Sequence, residues 1–316
     1  MSDAVVHAAW EGERATVQQL IGADPALVDA TGEVPTWDGA LTPLLAAAIR
    51  GHTPIIELLA QAGATFPNNA VTLAIGEGHH DTADALVRLG APVDACAAAG
   101  MRDTQVLQKL LSHDPSQAKG SPGQATPLHY AATPAHVDLL LHHGADLDAR
   151  DDYHGNTPFT WALSNGARRE AVRDRLRARG CALDVFDRVA LGDDAEVMRI
   201  LTVDPDTLDR RAPAHDLHAY GGPLLHAAVR YGRETLVDAL LAKGADVGLR
   251  GQEPLQATAL HWAAFHDQPG CVHRLLDAGA DPTLTDASWG VTPFAWAEHN
   301  GSAAASRAFE SRGIRT

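Results

Sequence analysis

One short phrase recurs along this chain and limits what it can fold into. The copies read "TPLLAAAIRGH", "TPLHYAATPAH", "TPFTWALSNG", "PLLHAAVRYG", "TALHWAAFHD" and "TPFAWAEHNG". The last three begin at Pro223, Thr258 and Thr292, which are 35 and 34 residues apart. A repeat of roughly 33 residues indicates a linear array of one small unit, and this signal outranks any local reading of secondary structure.

Each copy predicts two short helices. Proline fits the first helical turn, where its missing N–H costs nothing, and the preceding threonine can cap the helix. Alanine pairs allow one helix to lie close to the next. A second helix follows with apolar residues at helical spacing, as in "VDALLAKG", and its final glycine supplies a left-handed C-terminal cap.

The T-P-L-H-x-A core and its spacing resemble the ankyrin repeat family over essentially the whole chain. The resemblance implies an all-α ankyrin-repeat solenoid of helix-turn-helix units with short hairpin fingers between them. We count ten units, which begin near residues 2, 42, 69, 96, 126, 157, 186, 223, 258 and 292. Three units end at the Asp-Pro pairs that start at Asp24, Asp114 and Asp204 instead of at Gly-Ala.

The repeats leave no room for a separate catalytic domain, so we predict one solenoid over residues 1–316. Residues 151–166 match residues 286–301, which indicates duplication and predicts two blocks, about 1–181 and 182–316. The unit at Thr126 is three residues shorter than the pattern between its alanine pair and its leucines. Because about 3.6 residues make one helical turn, we expect the stack to narrow or bend there.

Charge and composition exclude several classes of partner. The formal net charge is −15, without long runs of one sign, which disfavours nucleic acid and anionic membranes as partners. The N-terminus lacks the pattern of a signal peptide, and no apolar run reaches membrane length. Three widely spaced cysteines indicate neither a disulfide framework nor a zinc site. We therefore expect a cytoplasmic protein without cofactor or metal.

Two connections are longer than a tight turn, residues 30–41 and 212–223, and long ordered loops on a rigid scaffold often carry function. The resemblance implies that finger tips and first-helix ends line a concave binding face. Carried over by position, the binding residues are Trp37, Asp38, Arg50, Tyr153, His154, Tyr220, Arg230, Tyr231, Phe265, His266 and Trp289. Two interpretations of the finger aromatics stay open: they anchor a partner, or they pack against neighbouring fingers and stiffen the array.

Histidine is abundant, but most copies have a structural explanation. His129, His226 and His261 occupy the T-P-L-H position, where the resemblance implies hydrogen bonds to the adjacent turn. The loop "PAHDLHAY" contains His215, Asp216 and His218, which are weak catalytic candidates because no further ligand or nucleophile has a fixed spacing to them. No recognised catalytic motif is present, so an enzyme is the less favoured interpretation.

The favoured function is a binding scaffold that recognises a protein partner through the concave groove of finger tips and first helices. The alternative is a small-molecule-binding protein or enzyme, with its site between the long fingers 30–41 and 212–223 and the first helices. Fold alone does not decide between them, because function resides in sites carried on folds.

Overall fold

The computed structural model describes residues 1–35, 37, 39–120, 125–152, 155–164, 169–212, 221–252 and 255–315. Within these ranges the chain is all-helical, and extended pairing is limited to isolated bridges. Two compact units are present: unit 1 is Met1–Ala149 and unit 2 is Arg150–Thr316. The all-α prediction is confirmed, whereas the single solenoid and its two blocks stay predictions, as does the count of ten units.

Each unit contains ten helices that follow one another in pairs within its described residues. Unit 1 contains α1 Ser2–Glu11, α2 Arg14–Ala23, α3 Pro43–Ile49, α4 Thr53–Gln61, α5 Ala70–Gly76, α6 His80–Arg88, α7 Ala95–Gly100, α8 Thr104–His113, α9 Pro127–Tyr130 and α10 Pro134–His142. Unit 2 contains α11 Pro158–Ser164, α12 Glu170–Ala178, α13 Val185–Leu191, α14 Asp194–Val203, α15 Leu224–Arg230, α16 Glu234–Ala242, α17 Ala259–Phe265, α18 Pro269–Asp277, α19 Pro293–Asn300 and α20 Ala303–Ser311. Odd-numbered helices are the first helices of their pairs, and even-numbered helices are the second.

Threonine caps begin the first helices, as the repeated phrase predicts. Thr42 Oγ1 accepts a hydrogen bond from the N–H of Leu45, and Thr292 Oγ1 accepts one from Ala295, both at 3.3 Å. In each helix the following proline occupies the first turn. These caps satisfy N–H groups that have no partner inside the helix.

The histidine of the repeated phrase links one repeat to the next by a hydrogen bond. His261 Nδ1 accepts from the backbone N–H and the hydroxyl of Thr258, at 3.2 and 2.8 Å. The other ring nitrogen, Nε2, therefore carries the proton, and it donates to the carbonyl of Val291 at 3.2 Å. His226 Nε2 makes the equivalent bond to the carbonyl of Leu249. The predicted structural role of these histidines is confirmed.

Small residues allow the first helices to pack closely. Ala227, Ala228, Ala263 and Ala264 on α15 and α17 have no exposed surface. Glycines close most second helices; Gly279, for example, follows α18 with φ 88°, in the left-handed region. The repeats that end at Asp-Pro form a 3-10 helix instead, such as Pro25–Asp29. The side chain of Asp24 caps this helix by accepting from the N–H of Ala26.

The short unit at Thr126 loses helix rather than turn. Helix α9 contains only Pro127–Tyr130, and Thr133 already caps α10. The carbonyl of Ala99 in the preceding unit accepts from the N–H of Ala132 at 2.9 Å and bonds His136 Nδ1 at 2.8 Å. The missing residues therefore shorten the first helix to about one turn.

The first long finger is a hairpin. Gly32 and Leu41 exchange two backbone hydrogen bonds of 3.0 and 2.8 Å, which close the loop at its base. Val34 inside the loop is buried, and its carbonyl accepts from the N–H of Trp37. In the second long finger, the N–H of Ala212 bonds the carbonyl of Gly222 at 3.0 Å, while residues 213–220 lie outside the described part of the chain.

Candidate functional site: an aromatic cleft between α17, a finger and α19

A cleft of about 590 Å³ opens in unit 2 where a finger meets two first helices. Phe265 at the end of α17 forms one wall, and the finger contributes Trp289 and Val291. Helix α19 contributes Ala295, Trp296, His299 and Asn300. Trp289 is 66% exposed and Phe265 is 42% exposed, so both large side chains face solvent at the cleft.

Trp296 is the buried centre of the aromatic group. Its ring centroid lies 5.5 Å from that of Trp289 and 5.9 Å from that of Phe265, with interplanar angles of 63° and 72°. Trp262 of α17 packs against Trp296 at 5.5 Å and 89°. These tilted and edge-to-face arrangements are the ones that aromatic pairs prefer, so the walls of the cleft support one another.

Asp286 holds the finger and Trp296 together. Its carboxylate accepts from the indole N–H of Trp296 at 3.0 Å and from the backbone N–H groups of Trp289 and Val291 at 2.7 and 3.2 Å. Burial alone would raise the pKa of this carboxyl, but these hydrogen bonds outweigh burial and hold the pKa below its usual value. Asp286 is therefore an ionised carboxylate at neutral pH, and it holds the indole of Trp296 from behind the residues that line the cleft.

The same arrangement, an Asp carboxylate that binds a tryptophan indole and the backbone of its finger, occurs in residues 151–166, the segment that matches residues 286–301. Asp151 Oδ2 accepts from the indole N–H of Trp161 and the backbone N–H of Asn156, both at 3.1 Å. This Asp–Trp hydrogen bond is thus a repeated element of this chain. Tyr153 and His154, the predicted binding residues of that finger, lie outside the described residues.

Helix α17 is held at its C-terminal end by groups from the following unit. The carbonyl of Phe265 accepts from Asn300 Nδ2 at 2.7 Å and from Ser302 Oγ at 3.2 Å. Asp267, with φ 50°, accepts from the N–H of Ala305 at 2.7 Å. These bonds fix the backbone that carries Phe265, so the wall of the cleft is preorganised.

His266, Arg230 and Tyr231 continue the surface from Phe265. His266 stacks on Trp262 at 5.9 Å and meets Phe265 edge-on at 5.1 Å. Burial, assisted by the positive charge of Arg230, lowers the pKa of His266 to about 4, so the ring is neutral at pH 7. The guanidinium of Arg230 lies 5.8 Å from the ring centre of Tyr231, within the range of a cation–π contact.

Unit 1 has a smaller aromatic group of its own. Trp37 on the first long finger packs against Trp10 of α1, with centroids 6.3 Å apart. The guanidinium of Arg50, at the end of α3, lies 5.2 Å from the Trp10 ring centre. Trp10 is buried and Trp37 is half-buried, so this finger aromatic packs within its unit.

The structure therefore brings the predicted binding residues together in separate groups. Trp37 and Arg50 meet at Trp10, while Phe265, His266 and Trp289 share the aromatic surface of unit 2 with Arg230 and Tyr231 nearby. Asp38, Tyr153, His154 and Tyr220 lie outside the described residues, and so do His215, Asp216 and His218.

Sequence reasoning missed three tryptophans that organise these groups, Trp10, Trp262 and Trp296. A signal was present for Trp296, because it aligns with Trp161 when residues 286–301 are laid over 151–166. Its importance depends on a hydrogen bond across ten residues to Asp286, which the repeat pattern does not display.

Among the described residues, no group of three His, Cys, Asp or Glu side chains is placed to hold a metal ion. The described residues also give no support to the small-molecule or enzymatic alternative. In a separate respect, the described helices include none with the length and apolar character needed to cross a bilayer.

Comparison with known proteins identifies the family. The model of the family described as ankyrin repeats matches three times, at residues 5–96, 95–187 and 188–286. The human ASB11 ankyrin repeat domain is similar in structure, with a TM-score of 0.40 and 26% identity, covering 70% of this chain and 99% of that domain.

Curated relatives are larger proteins. The palmitoyltransferase AKR1 of Lachancea kluyveri is 38% identical over 96 residues, which are 30% of this chain and 12% of the relative. The probable E3 ubiquitin-protein ligase XBOS32 of rice is 28% identical over 233 residues, or 61% of this chain and 41% of the relative. The chain thus spans less than half the length of these relatives. Ankyrin repeats generally mediate protein–protein interaction, and with the family model matching most of its length, this chain belongs to the ankyrin repeat family.

Proposed function

We propose that this chain is a binding scaffold that recognises a protein partner through the surface of its finger tips and first-helix ends. The observation that carries the proposal is the aromatic cleft, in which Trp289 and Phe265 remain 66% and 42% exposed. Only five large apolar side chains are exposed among the described residues, and two of them line this one cleft. Clustered exposed aromatics are typical of binding surfaces.

The energetics favour an anchor at this position. Trp and Tyr bury much surface at little cost in side-chain entropy, so they dominate many interfaces. Trp289 stands against Trp296, which Asp286 holds in place, so less order has to be gained on binding. Covering Trp289 would therefore contribute more to affinity than covering a mobile surface side chain.

Other predicted residues extend this surface as part of the same proposal. Arg230 and Tyr231 lie beyond His266 in unit 2, and Arg50 with Trp37 forms a separate contact area in unit 1. Asp38, Tyr153, His154 and Tyr220, which lie outside the described residues, remain predicted binding residues of this surface.

The test is capture and affinity measurement with matched variants of the full chain. A partner isolated with the wild-type chain is titrated against wild type, Trp289→Ala and Val203→Ala. Val203 is the control because it is 74% exposed but lies at the end of a second helix, α14. We expect Trp289→Ala to weaken binding by about 2 kcal/mol or more, with an unchanged melting temperature, and Val203→Ala to bind like wild type. A partner that binds Trp289→Ala as tightly as wild type would contradict the proposal, whatever its response to Val203→Ala.

A further inference from the structure

We infer that the partner residue held in the aromatic cleft is a cation on an aliphatic stem, an arginine or lysine of a basic protein segment. The inference rests on the proposed function and adds the chemistry of the partner to it.

Three aromatic rings line the cleft, and they are not parallel. Trp289 and Phe265 are inclined to Trp296 by 63° and 72°, with centroids 5.5 and 5.9 Å from it. Rings at such angles form walls on more than one side of a guest, which a parallel stack cannot do. Cations bind favourably within about 6 Å of aromatic ring centres, with tryptophan the best partner. The size of the cleft, about 590 Å³, accommodates a long side chain.

The central ring is also made more electron-rich by its hydrogen bond. Trp296 donates its indole N–H to the ionised, buried carboxylate of Asp286 at 3.0 Å. A charge-assisted hydrogen bond polarises its donor, so negative charge is pushed toward the indole ring. A cation in the cleft is attracted by the aromatic rings and by this carboxylate, whereas an uncharged guest lacks that electrostatic attraction.

Charge on the surrounding elements is complementary to a cation. Residues 259–300 contain five acidic side chains and one basic side chain. Two arginines from outside this range reach it: Arg312 pairs with Asp277, and Arg250 donates to the carbonyl of Thr285, beside Asp286. The basic side chain within the range, Arg274, is already paired with Glu234 at 2.8 Å and Asp238 at 3.0 Å. Glu298 on α19 is exposed, and the whole chain carries −15. Such a field attracts a basic segment and repels an acidic one.

Arg230 is not among the residues that line the cleft. It lies on α15 and acts on His266, beyond Phe265. The helices and finger that line the cleft, residues 259–265 and 286–300, contain no lysine or arginine. Val291 and Ala295 add an apolar strip that suits the methylene stem of the guest.

The test uses a blocked nine-residue Gly-Ser peptide without other charged side chains, in which one central residue is varied. The centre is arginine, its uncharged isostere citrulline, or the aliphatic residue norleucine. Binding to the full chain is followed by tryptophan fluorescence at low and at high salt. The protein variants are Trp289→Leu, which keeps apolar area but removes the π face, and Val203→Ala as the control.

We expect the arginine peptide to bind at least about threefold more tightly than either uncharged peptide. We also expect Trp289→Leu to abolish this difference, Val203→Ala to preserve it, and added salt to weaken binding. The inference is overturned if norleucine binds as tightly as arginine, if Trp289→Leu keeps the preference, or if the arginine peptide shows no binding at about 1 mM. In those cases the proposed function is judged separately, by the response of a captured partner to Trp289→Ala.

Discussion

Pro223 occupies a position where other repeats place a capping threonine, and the exchange leaves a buried nitrogen without a partner among the residues that the structure describes. Thr126 and Thr258 each supply a backbone N–H and a hydroxyl to Nδ1 of the histidine three residues later. Pro223 has neither group, and within the described part of the chain Nδ1 of the buried His226 makes no hydrogen bond. The backbone is already suitable, because φ and ψ are −76° and 178° at Pro223 and −88° and 168° at Thr258.

We therefore predict that Pro223→Thr stabilises the protein. Satisfying a buried acceptor contributes about 1–3 kcal/mol, and a threonine N-cap contributes about 1 kcal/mol. Replacing proline makes the unfolded chain more flexible, which costs about 0.4–1 kcal/mol. The net expectation is a gain of about 1–3.5 kcal/mol in the free energy of unfolding.

Urea unfolding followed by circular dichroism measures this gain. The control is Thr258→Val, which removes only the hydroxyl that serves His261 Nδ1 and should lower the free energy of unfolding by about 1 kcal/mol. An unfolding midpoint for Pro223→Thr at or below that of wild type, with Thr258→Val destabilised as expected, would refute the role assigned to the orphaned nitrogen.

Three further predictions concern the packed interior. Ala263→Asp places a charge where no surface is exposed, so we expect the urea midpoint to fall by the equivalent of several kcal/mol; an unchanged midpoint would show that this helix face is not buried. Gly222→Ala should also destabilise the fold in urea, because the new Cβ would lie 1.7 Å from His226 Nδ1, and a variant as stable as wild type would argue against this packing. Acid should weaken the fold: burial lowers the pKa of His261 to about 4 and of His226 to about 3, from 6.5. The unfolded state then binds more protons, so this stability is present above about pH 6.5 and is lost as the pH falls toward 4; a melting temperature equal at pH 7 and pH 4.5 would contradict the assignment.

The repeat phrase predicted the helices well because their signals are local. A capping threonine, a proline in the first turn and a closing glycine act within a few residues, and the structure shows each of them in place, as at Thr42 and Gly279. The site was less accessible to such reasoning. The position of Phe265 in a cleft depends on Asn300, which is 35 residues away, and on a tryptophan held by Asp286. Contacts between neighbouring repeats decide these positions, and a sequence pattern within one repeat does not report them.

The clustering of tryptophan makes the two ends of the chain spectroscopically different. Of the six tryptophans, Trp262, Trp289 and Trp296 lie in contact in the last units, whereas Trp10 and Trp37 meet near the N-terminus. Because a repeat array can open from one end without the other, a single emission spectrum mixes two local events. In a variant with phenylalanine in place of Trp10 and Trp37, the near-ultraviolet circular dichroism would come mainly from the coupled tryptophans near the C-terminus. Its loss would report opening of that end of the chain, and the same signal would record occupancy of the cleft.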